Sequence, residues 1–306
     1  IAKNGAEILR LWAAMLNYKE DARFGQEILA RIVEAYRKIR NTWRFMMGNL
    51  YDFSPDTDAV ADKDLLWLDR WILEKLAEVR ARALKAYEEF EYHTVFHSIY
   101  DFFSVGLSAF YLDVIKDRAY CSAKRSVLRR AAQTALFTVL RDTLTLMAPI
   151  LPFTAEEAWE ATPAFNGKES SVHLELFPAA GGRWLEPSRL AEIDALIAIR
   201  EKVLKELEKA REEKLIGNSL EALVTLRAPS SQAEILEKYQ ADLPALFIVS
   251  AVTLERGANE ALEVSVGRAP GEKCERCWNY STDVGRSREF PTFCARCDDV
   301  MKTVFP

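Results

Sequence analysis

The sequence lacks most of the devices by which a protein does chemistry on a small molecule. No G-x-x-x-x-G-K-[ST] or G-x-G-x-x-G is present, and the 12 glycines are scattered, so no phosphate-cradling loop is expected. No serine sits in a G-x-S-x-G elbow. There are three histidines; His93 and His97 have the i, i+4 spacing of a metal pair but no third ligand nearby, and read as a helix start and a core or surface residue. No apolar run reaches a membrane-spanning length, and no signal peptide is visible. Strong charge of one sign is also missing. A net charge of −5 argues against indiscriminate coating of nucleic acid. Cysteine is scarce as well, with five in 306 residues. Cys121 is the only one outside a motif, a usage that fits a reducing cytoplasm.

The other four cysteines form C-x2-C-x16-C-x2-C: Cys274, Cys277, Cys294 and Cys297. That spacing suits one tetrahedral Zn²⁺, each doublet placing two sulfurs on a tight knuckle. A redox dithiol needs only one doublet, normally beside a βαβ pattern, and none is evident. Four thiolates fill the coordination sphere, so the metal is expected to be structural. A tail of about 40 residues buries too little apolar surface to fold unaided, and metal binding supplies on the order of 10–16 kcal/mol to such modules. Lys273, Arg276 and Arg296 lie at the knuckles and offset the formal charge of the site. Trp278, Tyr280, Phe290 and Phe293 interleave with Arg276, Arg286, Arg288 and Arg296, a pattern that stacks unpaired bases and holds phosphates. Acids from Glu272 to Asp299 cancel these cations, so any nucleic-acid contact is local.

The rest of the chain is mainly helical. A helix is expected over Gly5–Leu16. The chain opens on Ile1, next to this pattern, as a piece of a longer polypeptide would. In the next helix Ile28, Ile32, Tyr36, Ile39 and Trp43 form an apolar stripe. Beside it runs a second strip: Arg37, Arg40, Asn41 and Arg44. Charged faces are usually just solvated, but Arg31–Arg44 holds five bases against Glu34 alone, which points to phosphate contact. After a turn-rich connector, Asp52–Asp64, helices are expected over about Leu65–Phe90, Thr94–Tyr120 and Ser122–Met147. The last carries Lys124, Arg125, Arg129 and Arg130 at its start. Cations there oppose the helix dipole and suggest an external anion. Thr154-Ala-Glu-Glu157 reads as a capping box, and Ser171–Phe177 alternates like a strand. A charged scaffold helix (about Ser188–Lys214) leads into a small α+β unit. Its candidate strands are Glu221–Arg227, Leu246–Glu255 and Leu262–Val266, with a helix near Ser231–Tyr239. The fold class read from this order is an antiparallel helix bundle, a small α+β unit and a C4 zinc finger, divided as 1–22, 23–165, 166–268 and 269–306.

Particular stretches resemble a known family. Gly5-Ala-Glu-Ile-Leu-Arg-Leu-Trp12 resembles the segment after the KMSKS loop of class I aminoacyl-tRNA synthetases. Tyr36-Arg-Lys-Ile-Arg-Asn-Thr-Trp-Arg-Phe45 and Gly48-Asn-Leu-Tyr-Asp-Phe53 are similar to the anticodon-binding domain of the isoleucyl branch. Phe110-Tyr-Leu-Asp-Val-Ile-Lys-Asp-Arg-Ala-Tyr120, Ala148-Pro-Ile-Leu-Pro-Phe-Thr-Ala-Glu-Glu157 and Ser171-Val-His-Leu174 resemble its later elements, and the cysteines resemble its carboxy-terminal finger. The match covers nearly the whole chain in order. It implies a ligase that joins isoleucine to tRNA with ATP and Mg²⁺ and edits mischarged valine. The HIGH and KMSKS motifs are absent, so this chain is expected to bind tRNA(Ile) through Arg37, Arg40, Asn41, Arg44, Arg276 and Trp278 without aminoacylating it. A cytoplasmic monomer, with no DNA or membrane partner, is the matching expectation. A repair-glycosylase finger has similar cysteine spacing but explains only the last forty residues. A protein-interaction scaffold leaves the clustered arginines unexplained.

Overall fold

The computed structural model describes residues 4–22, 24–182, 184–257 and 261–304. The chain folds as two compact units, one from residues 1–113 and 125–185, the other from 114–124 and 186–306.

The first unit is helical. It comprises α1 (Ala6–Met15), α2 (Gln26–Asn49), a single turn α3 (Pro55–Asp58), α4 (Trp67–Glu88), α5 (Tyr92–Asp101), a π-helical stretch (Phe102–Tyr111), α7 (Val127–Met147) and α8 (Pro152–Glu160); α6 (Leu112–Cys121) follows the π stretch and passes into the second unit. The apolar stripe of α2 lies inward as its spacing requires, with Ile32, Ile39 and Trp43 fully buried. The Trp43 indole N–H donates to Thr143 Oγ1 of α7 at 3.1 Å, so its polar tip is satisfied in the core. The run Tyr92–Cys121 is long and apolar enough to cross a membrane by length and composition. In the first unit Val95, Phe96, Ile99, Phe103, Leu107 and Tyr111 are instead buried against neighbouring helices, as the aromatic pattern predicts for a core helix.

Several local expectations are corrected. Thr154 does not open α8 with a capping box. Pro152 starts that helix, and Glu7 of α1 caps it from across the unit, accepting from Phe153 N–H at 2.8 Å and Thr154 N–H at 3.0 Å. Ser171–Phe177 is not a strand. The Glu156 carboxylate takes the Ser171 hydroxyl at 2.9 Å and Val172 N–H at 3.0 Å, which bends the chain into a single 3-10 turn, Val172–Leu174.

The basic start of α7 also has a different explanation. The helix begins at Val127, capped by Ser126, and Arg129 and Arg130 point inward and are buried. Arg129 makes two bonds of 2.8 Å to the Asp52 carboxylate. Gln133 Nε2 donates to Asp52 Oδ1 at 2.9 Å, and Arg130 Nη1 donates to the Asp52 carbonyl at 2.9 Å. Arg130 also pairs with Asp58 at 3.3 Å. The anion for these two arginines is therefore internal, supplied by the connector after α2.

The second unit has a three-stranded sheet, β1 (Ala222–Ala228), β2 (Ala251–Arg256) and β3 (Glu263–Arg268), in the order β2-β1-β3. β1 is parallel to β2 and antiparallel to β3. The parallel pair is joined through α10 (Ser230–Lys238) and α11 (Leu243–Phe247), as a parallel crossover requires. The expected strand Leu246–Glu255 is thus strand only in its second half; Leu246 and Phe247 end α11, and Ile248, with φ 59°, closes that helix before β2 begins. The charged helix α9 (Pro187–Glu212) buries Ile193, Leu196, Val203 and Leu207 and packs against β3. Beyond the sheet come a short hairpin, β4 (Glu272–Lys273) and β5 (Tyr280–Ser281), and the terminal helix α12 (Ala295–Val304). Gly271 enters the hairpin at φ +88°, and a Cβ there would sit 2.3 Å from the Ser281 carbonyl, so only glycine fits.

The Asp52 cluster sets a pH dependence. Burial alone would raise the Asp52 carboxyl, but hydrogen bonds from Arg129 and Gln133 and the charges of Arg129 and Arg130 hold it below the usual carboxylate range. A depressed folded-state pKa contributes stability above the unfolded value, and that stability is lost as pH falls through the folded one. Thermal melts are expected to lose more stability on acidification in the unaltered protein than in Asp52→Ala. At neutral pH, Asp52→Ala should cost about 3–5 kcal/mol by stranding the buried Arg129, while Arg130 keeps Asp58 and the backbone carbonyl of residue 52. A melting temperature unchanged by the substitution would contradict this assignment.

Candidate metal centre and nucleic-acid surface

The four motif cysteines converge in the second unit. All four are buried, and their sulfurs lie within 4.8 Å of one another. Cys277 Sγ and Cys294 Sγ are 3.8 Å apart. A tetrahedron of Zn–S bonds near 2.3 Å places its sulfurs about 3.8 Å apart, so the cluster fits one zinc. Backbone geometry builds each knuckle. Trp278 N–H donates to Cys274 O at 2.8 Å, closing the first, and Cys294 N–H donates to Cys274 Sγ at 3.3 Å, linking the second to it. A hydrogen bond from Cys297 lowers the Cys277 thiol, while burial raises Cys294 and the hydrogen bond to Cys277 raises Cys297. With sulfur filling the tetrahedron, no position remains for a reacting water, and the metal's work is to fold the tail.

The knuckle arginines have internal tasks. Arg276 Nη1 donates to the carbonyl of Cys121 at 2.6 Å and lies 3.5 Å from Cys297 Sγ. Arg296 forms a fork with Asp117, at 2.6 and 2.8 Å. Both partners belong to α6, whose last turns the finger thereby grips. Cys121 itself packs on the cluster. Burial, followed by the charge of Asp117, pushes its thiol up to about 11, which leaves it neutral and unsuited to ligate metal. Spacing gave no hint that α6, more than 150 residues away in the chain, forms a wall of the zinc site.

Trp278 stands apart from these. It is 60% exposed, and its backbone has φ 68°, a left-handed conformation that a bulky aromatic rarely adopts. The knuckle thus holds the ring outward at a conformational cost, a form of strain that clusters at functional positions. Lys273 Nζ lies 4.8 Å from the ring centroid. Arg286 and Arg288 are exposed near the stacked pair Phe290 and Phe293, whose centroids are 5.5 Å apart. Lys302 is engaged instead with Asp298 at 2.7 Å.

In the first unit, Arg37, Arg40, Asn41 and Arg44 are all exposed along one face of α2. Arg40 contacts Glu157 at 3.3 Å in an exposed pair, which is worth little. Among the described residues Arg37, Asn41 and Arg44 make no side-chain hydrogen bond or ion pair. The buried stripe behind them and the Asp52 cluster at the end of the helix fix the strip's direction. The structure thus brings the α2 residues together in one unit and places Arg276 and Trp278 in the other. Sequence reading missed Tyr51, whose ring is 76% exposed just beyond the end of α2.

Comparison with known proteins supports the metal centre. A family model described as a zinc finger found in FPG and IleRS matches residues 271–300, spanning all four cysteines. An isoleucine–tRNA ligase of Syntrophotalea carbinolica is 48% identical over 98% of this chain, and one of Geobacter sulfurreducens is 45% identical over 99% of it. The chain spans 33% of the length of each. Among solved structures, the LeuRS–tRNA–LeuAMS complex of Agrobacterium radiobacter K84 agnB2 aligns with 87% of this chain and 29% of that one, at 13% identity and a TM-score of 0.44, too low a likeness to argue from. The family model for the anticodon-binding domain of tRNA ligase matches residues 69–226, about half of the chain, so the chain belongs to that family.

Proposed function

We propose that this chain is the tRNA-gripping, carboxy-terminal part of an isoleucine–tRNA ligase, holding the anticodon stem-loop of tRNA(Ile) while the remainder of the ligase activates and transfers the amino acid. The observation that carries this reading is the α2 strip: exposed Arg37 and Arg44 and the Asn41 amide, with no internal partner among the described residues, on a rigid helix. Cations on such a helix hold a phosphate backbone, and loop bases, being unstacked, are open to readout. Arg40 contributes once released from its weak pair with Glu157. Trp278 offers a ring to a base near the finger. Arg276 acts at one remove, keeping the knuckle and α6 together rather than reaching RNA.

ATP and Mg²⁺ belong to the remainder of the ligase. In this chain the cofactor is one structural zinc on Cys274, Cys277, Cys294 and Cys297. When bound, the ion supplies charge neutralisation and a covalent-like clamp; the residues around it do the positioning. The protein is expected to be a cytoplasmic monomer.

Filter binding of the 306-residue chain across a panel of tRNAs tests the assignment. Preference for tRNA(Ile), lost when its anticodon is altered, is expected; equal retention of every tRNA would remove the specificity. Arg37→Gln with Arg44→Gln should weaken binding of all RNAs and lower the log–log salt slope by about 0.7–0.9 for each phosphate contact removed.

Metal analysis should find about one Zn²⁺ per chain, as a single four-thiolate site requires. Cys277→Ser or a chelator should unfold the finger at a lower temperature than the helical unit. A finger that keeps its proteolytic resistance after metal removal would overturn the structural role of zinc.

A further inference from the structure

Tyr51 is an aromatic ring that the fold exposes and yet holds still. It is the most exposed of the large aromatic side chains described in the first unit, at 76%. Its backbone is fixed between Leu50 and Phe53, both buried. The guanidinium of Arg129 lies over the ring, 5.8 Å from its centroid. Arg129 cannot follow the ring into solvent, because both its terminal nitrogens are bonded to Asp52 at 2.8 Å. One face of Tyr51 thus rests on an immobilised cation, and the high exposure leaves the other face to solvent.

Its place along the chain adds a second observation. Arg37 and Arg44 are seven positions apart, the two-turn spacing at which one helix face recurs, and Tyr51 follows two residues past the end of α2. Tyr51 lies in the turn that closes α2, at the end of the strip of exposed cations. A flat ring at the end of a phosphate-binding strip has the arrangement of a single-stranded nucleic-acid site, with cations tracking the backbone and an aromatic receiving a base. Cation–π attraction to the Arg129 guanidinium helps to hold the ring in place. Phe153, the next most exposed aromatic of this unit at 72%, lies beside the Glu7 carboxylate that caps α8, a poor neighbour for an anionic strand.

We propose that Tyr51 is the stacking platform for one unpaired base of the RNA loop held by α2, with Arg129 as its fixed backing. This rests on the reading of the chain as an anticodon stem-loop binder, and the experiment separates the two. An RNA stem-loop with the tRNA(Ile) anticodon sequence, carrying 2-aminopurine at one loop position in turn, is titrated with the unaltered chain, Tyr51→Ala, Tyr51→Leu and Tyr51→Phe. Stacking quenches the reporter at one position in the unaltered chain and in Tyr51→Phe. Tyr51→Ala and Tyr51→Leu are expected to abolish that quench and weaken binding about 5–150-fold, with the salt slope unchanged. Tyr51→Leu keeps apolar bulk over Arg129, so a fold kept by leucine and lost by alanine still leaves a readable variant. Affinity within twofold of the unaltered chain with the quench intact would overturn the stacking role and leave the anticodon reading standing. A fall in salt slope would also overturn it, since Tyr51 would then act through phosphate contacts. Failure of the unaltered chain to bind any stem-loop would overturn both.

Discussion

The first unit depends on one buried carboxylate. Asp52 ties the end of α2 to the start of α7 through Arg129, Arg130 and Gln133, and each of these has little contact with water. Two guanidinium groups taken out of water need an anion with good geometry, and the bidentate fork supplies it. The consequence reaches the surface. With its end anchored at Asp52 and its inner stripe filled by Ile32, Ile39 and Trp43, α2 has one way to face, and its opposite side displays Arg37, Asn41 and Arg44. Basic residues near one another in sequence therefore divide into those that build the unit and those that remain for a ligand.

The same division recurs in the second unit around the cysteines. Arg276 and Arg296 lie within the knuckles, but their guanidinium groups go to Cys121 and Asp117 on α6. A cluster of thiolates on a divalent ion keeps net negative charge, and nearby cations compensate it. Those two arginines do so while holding a helix. Arg286 and Arg288 are left at the surface, and Lys273 lies over Trp278, whose left-handed backbone turns an apolar ring outward. The finger is thus a folding device first, with a small exposed basic and aromatic surface attached.

Much of this was legible without coordinates. The cysteine spacing determined the metal cluster because four ligands in two tight doublets leave few alternatives. The periodicity of Ile32, Ile39 and Trp43 gave the buried face of α2, and by exclusion the exposed strip. What failed were inferences that treated side chains as local. Thr154 has a helix-capping pattern, but the cap comes from Glu7, and Ser171–Phe177 alternates correctly yet gives its Val172 N–H to Glu156 and its next donors to a local turn. The positive charge at the start of α7 was a true signal of an anion. The sequence could not say that the anions were Asp52 and Asp58, because the connector between α2 and α4 carries several acids and only packing selects among them.

The sequence by itself determined the helical content and the four-thiolate site and offered strands for a small sheet. These rest on short-range spacing or periodicity, which the backbone imposes on any chain, while the family was read from the resemblance of whole motifs. Tertiary structure alone decided which arginines are buried with a counter-ion and which remain at the surface. It alone decided that α6 walls the zinc site and that Tyr51 stands on a fixed guanidinium. Those outcomes depend on contacts between residues far apart in the chain, where the desolvation of a charge is settled by whichever partner the packing brings within reach.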